Sequence, residues 1–190
     1  EILKINQGDS EWLESVRGQT DRMRKLVNNL VALSRMDEEQ PRIERTRFSI
    51  SDAVYDTAAA FSSAAEREGK RLIVNVAPDC EYVGDEAAIR QLASILVDNA
   101  VKYADAGGEI LVELSPGKSP VLSVENSFKA VATLKLDRLF DRFYRGDPAR
   151  TGSGSFGLGL SIARSIIEAH RGSIRAEQAG PGRIRVRARL

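Results

Sequence analysis

The stretch from Asp85 to Tyr103 constrains this chain most. Ile89, Leu92, Leu96 and Ala100 recur at helical spacing, so one long amphipathic helix must bury this stripe against a core. Its last turns carry three chemically distinct side chains, Asn99, Lys102 and Tyr103. Asn99 offers a hard oxygen suited to Mg²⁺, Lys102 a point charge for phosphate, and Tyr103 a flat face for a purine. An ordinary helix C-terminus, where the macrodipole favours a cation, would also account for Lys102. Both readings stay open on this segment alone.

Two blocks downstream separate them. The first reads Leu139-Phe140-Asp141-Arg142-Phe143-Tyr144-Arg145-Gly146-Asp147, and the second runs from Gly152-Ser153-Gly154-Ser155-Phe156 through Gly157-Leu158-Gly159-Leu160 to Ala163. Glycines in the second let backbone N–H groups approach an anion, and the helix they feed adds unpaired donors at the positive end of its dipole. A phosphate fits there. The dinucleotide-binding pattern does not, because no strand and βαβ unit directly precede the glycines.

With these three blocks in this order, the chain resembles the catalytic ATP-binding domain of sensor histidine kinases, part of the wider class of gyrase, heat-shock chaperone, histidine kinase and mismatch-repair ATPases. The resemblance covers nearly the whole chain. Asn99 to Tyr103 is similar to the family's N box, Phe140 to Arg145 to its F box, and Gly154 to Leu160 to its second glycine box. It implies ATP and Mg²⁺ as cofactors, with Asn99 as a metal ligand, Lys102 and Arg145 as phosphate contacts and Tyr103 stacked on adenine. Gly157 and Gly159 would form the phosphate end of an ATP lid, with Arg142, Gly154, Leu158 and Leu160 completing the ATP-binding set. Two features depart from the family pattern. Ile95 stands where a further Asn is usual, four residues before Asn99. The first glycine box, an Asp followed by Gly at the second and fourth positions, falls fourteen residues before Phe140, on Asn126, Phe128 and Ala130. The adenine-specifying half of the site is therefore altered, with Asn126 and Phe128 expected in the base pocket.

Composition sets the outer bounds. A chain of 190 residues, 42% hydrophobic and 29% charged, is long enough for one substantial core and a small appendage. A net charge of +1 gives no electrostatic reason to expect nucleic acid, and no run approaches the roughly 18 consecutive apolar residues of a membrane span. Cys80 is the single cysteine, which excludes an intrachain disulfide and a zinc site built on cysteines, suits the cytosol and leaves packing as its expected role. The chain opens at Glu1 without Met or a signal peptide, which reads as a piece of a longer protein, expected to be the cytoplasmic domain of a membrane-anchored parent.

From Asp9 to about Glu38 the pattern is helical, and Val16, Thr20, Met23, Val27, Leu30 and Ser34 alternate at spacings of four and three. Such a seam calls for another chain or a missing neighbour, rather than docking onto the following domain. In the resemblance it is the second helix of a dimerisation and phosphoacceptor hairpin, which implies a homodimer. The organisation expected is a partial hairpin over 1–38, a charged linker containing Pro41 over 39–48, and the catalytic domain over 49–190. Within the latter, Ser49 and Asp52 resemble a capping box opening a helix to about Glu68, stopped by Gly69. Arg71–Val76, Glu109–Leu114 and Val121–Glu125 read as strands, Gly157–His170 as a helix, and Ser173–Glu177 with Arg183–Arg189 as a closing hairpin around Gly180-Pro181-Gly182. The fold class expected is α+β: a two-layer sandwich of helices on one face of a mixed β-sheet, preceded by one long helix, with the site at the open edge near a lid between Tyr144 and Ser155.

Three features have simpler explanations than chemistry. His170, the single histidine, ends the helix after the glycine box, where a structural role is expected; no phosphoacceptor histidine lies on this chain. Arg183, Arg185, Arg187 and Arg189 alternate with apolar residues as a half-buried terminal strand does. Asp137, Asp141 and Asp147 lack partners at metal-ligand spacing and read as solvated surface. The function expected is to hold Mg²⁺-ATP and present its γ-phosphate to a histidine outside the chain, from which a response regulator receiver domain takes it. The alternative is a degenerate kinase-like docking module with weak or no nucleotide binding, favoured by the altered first glycine box and opposed by the intact second one. A chaperone, gyrase or repair ATPase would want a general-base carboxylate in the N-box helix, whereas the Phe-Tyr-Arg block and the N-terminal helix favour the kinase.

Overall fold

The computed structural model describes residues 12, 13, 16–20, 23, 24, 27, 44–144 and 157–190. Those before 44 are helical, and among them Trp12, Val16, Met23 and Val27 are exposed.

Strand β1 (Thr46–Ser49) leads directly into α1 (Ile50–Ala59). Ser49 is extended and its hydroxyl accepts the Asp52 N–H at 3.2 Å, an N-cap that satisfies one orphan donor of the first turn. The single helix expected to reach Glu68 is broken: Ala60 and Phe61 form a turn before α2 (Ser62–Arg67). Phe61 packs against the core at that point, and the two serines that follow are poor helix formers because their hydroxyls compete for backbone groups. Gly69, at φ +65°, closes α2. β2 (Arg71–Val76) and β3 (Glu81–Gly84) precede α3 (Glu86–Tyr103), whose N-cap Asp85 accepts the Ala88 N–H at 3.0 Å. β4 (Glu109–Ser115) and β5 (Val121–Ser127) are followed by two 3₁₀ turns, Lys129–Thr133 and Leu136–Phe140, then α4 (Gly159–Ala169), β6 (Ser173–Gly180) and β7 (Arg183–Arg189).

β1 and β3 pair antiparallel as a small separate sheet, so Thr46–Phe48, within the stretch read as linker, is strand. The main sheet has five strands in the order β2-β4-β5-β7-β6, with β2 and β4 parallel and the other pairs antiparallel. It is a mixed sheet with helices on one face. Ile50 and Val54 of α1, Ile89, Leu92 and Leu96 of α3, and Ile162, Ile166 and Ile167 of α4 are buried with Ile110, Val112 and Leu122 of the sheet. Removing these side chains from water is the main stabilising term, about 1.5–3 kcal/mol for each large aliphatic group. Cys80 is buried in the same cluster.

The opposite face is charged. Glu125, only 5% exposed, is shared between Arg183 and Arg185, whose Nε donates to Oε2 at 2.8 Å, and Arg183 also reaches Glu109 at 3.6 Å. Glu177 lies within 3.7 Å of both Arg185 and Arg187. The alternating arginines of β7 therefore serve a cross-strand ion-pair lattice.

Candidate functional site

The end of α3, the end of β5 and the start of α4 enclose one open cleft, about 890 Å³ counting its mouth. From α3 it is lined by Leu96, Asn99, Ala100 and Tyr103, and from β5 and just beyond by Val124, Asn126 and Phe128. Leu134, Leu139 and Tyr144 contribute from the 3₁₀ segment, Gly157, Gly159 and Leu160 from the start of α4, and Ile184 and Val186 from β7. Apolar walls with a few polar groups suit a planar ring ligand whose edge and tail are read separately.

Asn99 and Tyr103 are four apart on α3 and so share its face. Asn126 is placed by register: it sits opposite Ile110 of β4 and Ile184 of β7, on the face of the sheet that the helices cover, and is 7% exposed. Its Nδ2 donates to the Ser127 carbonyl at 2.9 Å. Phe128 is 6% exposed, has extended backbone at φ −157° and donates its N–H to the Gly182 carbonyl at 2.7 Å. Where the family pattern has a glycine, this chain thus carries a phenyl wall on ordinary backbone.

At the other end of the cleft, Gly157 has φ +69°, and a Cβ there would lie 2.8 Å from the Phe143 carbonyl carbon and the Tyr144 oxygen. The Phe143 N–H donates to the Gly157 carbonyl at 2.9 Å, so only glycine fits this close approach. A Cβ on Gly159 would lie 3.7 Å from Asn99 Nδ2, which puts the start of α4 beside the metal-binding candidate. No side chain caps the first turn of α4, whose N–H groups lack intrahelical acceptors by geometry. The Asn99 amide beside such donors suits Mg²⁺-phosphate, since Mg²⁺ is usually held by one or two protein oxygens together with substrate phosphates. Among the described residues no group of three or more His, Cys, Asp or Glu is placed to hold a metal by itself.

Seven of the residues singled out from sequence line this cleft: Asn99, Tyr103, Asn126, Phe128, Gly157, Gly159 and Leu160. Lys102 does not line it; its ammonium pairs with Asp98 one turn back on α3. Arg142 is exposed and also outside the lining, while Leu158 is buried in the core. Arg145 and Gly154 lie outside the described residues. Sequence reasoning missed Leu134, Leu139, Tyr144, Ile184 and Val186 as cleft residues. The last two had a signal, since they are the apolar alternates of β7.

His170 is a joint. Its Nε2 accepts the Asp85 N–H at 3.1 Å and its Nδ1 faces the Ile166 carbonyl at 2.8 Å, tying the end of α4 to the N-cap of α3. Beside it Tyr82 packs with ring centroids 6.2 Å from His170 and 6.0 Å from Phe48. Burial pushes the Tyr82 phenol above its usual pKa, against the opposing charge of Arg45.

Residues 84–190 match the family model described as histidine kinase-, DNA gyrase B- and HSP90-like ATPase. The sensor protein DltS of Streptococcus agalactiae serotype III is 33% identical over 179 residues, 94% of this chain and 45% of its own length. The sensor histidine kinase CusS of Escherichia coli is 36% identical over 156 residues, 80% of this chain and 32% of its own. Among solved structures, the Acinetobacter baumannii histidine kinase AdeS gives a TM-score of 0.77 at 22% identity, covering 99% of this chain and 89% of that one. Full-length ShkA in complex with AMPPNP gives 0.79 at 20% identity, covering 94% and 38%. At these identities the structures speak to the fold alone. The chain belongs to the histidine kinase-, DNA gyrase B- and HSP90-like ATPase family, and the curated relatives it resembles are a sensor protein and a sensor histidine kinase. It spans less than half the length of those relatives.

Proposed function

We propose that the chain binds Mg²⁺-ATP in this cleft as the nucleotide-binding part of a sensor histidine kinase. The observation that carries the reading is the meeting of three separated stretches of sequence in one cleft: Asn99 and Tyr103 of α3, Asn126 and Phe128 at the end of β5, and Gly157, Gly159 and Leu160 at the start of α4. Tyr103 and Phe128 would hold the purine, the Asn126 amide its edge, Asn99 the metal, and the first turn of α4 the phosphates. Lys102 would reach a phosphate by leaving Asp98, with Arg142, Arg145, Gly154 and Leu158 completing the set. The γ-phosphate passes to a histidine on another segment and then to a response regulator receiver domain, so the chain's own task is positioning and charge neutralisation.

The division into 1–38, 39–48 and 49–190 belongs to the same proposal. Exposed Trp12, Val16, Met23 and Val27 give the N-terminal helix an apolar surface suited to a second copy in the parent protein. Among the described residues no helix is long and apolar enough to cross a membrane; a membrane anchor is assigned to the rest of the parent.

Calorimetry with ATP, with and without Mg²⁺, tests the site. Saturable, Mg²⁺-enhanced binding is expected; failure to bind any nucleotide leaves the docking module in its place. The chain alone is expected not to autophosphorylate, and supplying the acceptor hairpin restores the reaction. Label from γ-labelled ATP on His170 overturns the assignment.

A further inference from the structure

We infer that Asp105 is a positioning residue for the base end of the cleft, acting through Asn126 and Phe128; the inference rests on the nucleotide reading above. Asp105 lies in the turn after α3 and grips the end of β5 on both sides of Phe128. Its backbone N–H donates to the Ser127 carbonyl at 3.1 Å, and its carboxylate accepts the Lys129 N–H at 2.8 Å. Between these two bonds the Phe128 N–H is fixed by Gly182. The turn is packed so tightly that a Cβ on Gly108 would fall 1.9 Å from Ser127 Oγ, a hydroxyl that is buried without a hydrogen-bond partner among the described residues.

The Ser127 carbonyl has a second donor, Asn126 Nδ2. A carbonyl only accepts, so this bond fixes which end of the amide is the nitrogen: one of its N–H groups is spent on Ser127, which leaves the oxygen as the Asn126 atom able to accept from a ligand in the cleft. One backbone oxygen therefore connects the Asp105 turn to the polarity of the base pocket, and the Asp105 carboxylate, by accepting the Lys129 N–H, holds that turn against the end of β5. An amide oxygen accepts a hydrogen bond from an exocyclic amine and repels a carbonyl at the same place. Asp105 thus contributes to preference for a 6-amino purine over a 6-oxo purine. With Phe128 held as a wall, this frame takes the place of the missing glycines.

Equilibrium binding of ATP and of GTP to the chain and its variants tests this. Asp105→Ala is expected to weaken ATP about tenfold with little change for GTP, so that the preference contracts. Asp105→Asn keeps an oxygen for the Lys129 N–H and is expected to stay within about threefold of wild type. In an Asn126→Ala background, Asp105→Ala should change ATP affinity by less than about twofold, because the two act through one contact. Equal losses for ATP and GTP, or an undiminished loss once Asn126 is gone, would overturn the positioning role and leave Asp105 a capping residue. If thermal unfolding shows that Asp105→Ala does not fold, Asp105→Ser, whose shorter side chain draws the Lys129 N–H less well, carries the same ATP-to-GTP comparison. A wild-type chain that binds neither nucleotide overturns the nucleotide reading itself, and this inference with it.

Discussion

On the helical wall of the cleft, Asn99 and Tyr103 are placed by the pitch of α3, an element whose own apolar stripe anchors it in the core. On the strand wall, Asn126 and Phe128 are placed by partners far away in sequence: Ile110 and Ile184 by register, Asp105 and Gly182 by backbone hydrogen bonds. The first wall depends on which residue stands at each position. The second depends on a frame, and tolerates a phenyl in a glycine's place because the frame keeps Phe128 extended.

Variants of the two walls should therefore differ in size and kind. Asn99→Ala is expected to do most, removing the metal-dependent part of ATP binding at a cost of at least roughly 10–100-fold when titrated in Mg²⁺. Titration in EDTA should show little change, and an equal loss in both media would remove Asn99 as the ligand. Tyr103→Ala comes next. Loss of base stacking is worth about 1–3 kcal/mol, and Tyr103→Phe should restore most of it by calorimetry.

The strand wall should respond in the other direction. Asn126→Asp brings a charge to the amine of the base, a gain of up to about tenfold in affinity, offset because a carboxylate cannot donate to the Ser127 carbonyl. A severalfold tightening is expected, and no gain until Phe128→Gly is added would show that the phenyl fills the base pocket rather than lining it. Lys102→Ala tests whether the pair with Asp98 can open. A partly exposed pair is worth at most about 1 kcal/mol, so a few-fold loss of ATP affinity with a matching small change in stability is expected.

The smallest effect concerns the joint behind the helical wall. Tyr82 has a raised pKa in the folded chain, so the folded state holds its proton more tightly than the unfolded one. That contribution is present in full below the usual tyrosine range and is lost as pH rises through the folded value. Thermal unfolding followed from neutral to alkaline pH should fall off above about pH 10, less steeply in Tyr82→Phe. Identical alkaline limbs would show that the phenol is not the group responsible.

Legibility in the sequence followed the same division. The strands Arg71–Val76 and Arg183–Arg189 are read with their bounds, and α3 with its start at Asp85, because periodicity is a local signal. The break at Ala60 was not legible, since Phe61 turns into a core assembled from distant elements. β1 was missed because only Phe48 of its four residues is buried and its pairing partner lies 36 residues or so along the chain. In the site, the glycine block and the Asn99 helix announced themselves, whereas Leu134, Leu139 and Ile184 join the cleft only once the sheet is assembled. Lys102 shows the limit from the other side: its residue type suited phosphate, but its neighbour one turn back claims the charge.

The position of β7 has a consequence for how such a chain is made. It is the last strand in sequence yet lies between β5 and β6, with hydrogen-bonded partners on both sides. During synthesis β5 must wait with one edge open until residues 183–189 have left the ribosome, and nascent chains stalled before then present an unpaired edge on a strand that carries apolar Leu122 and Val124. Assembly of the sheet is thus a late and nonlocal event, of the kind that slows folding and exposes intermediates to aggregation or chaperone capture.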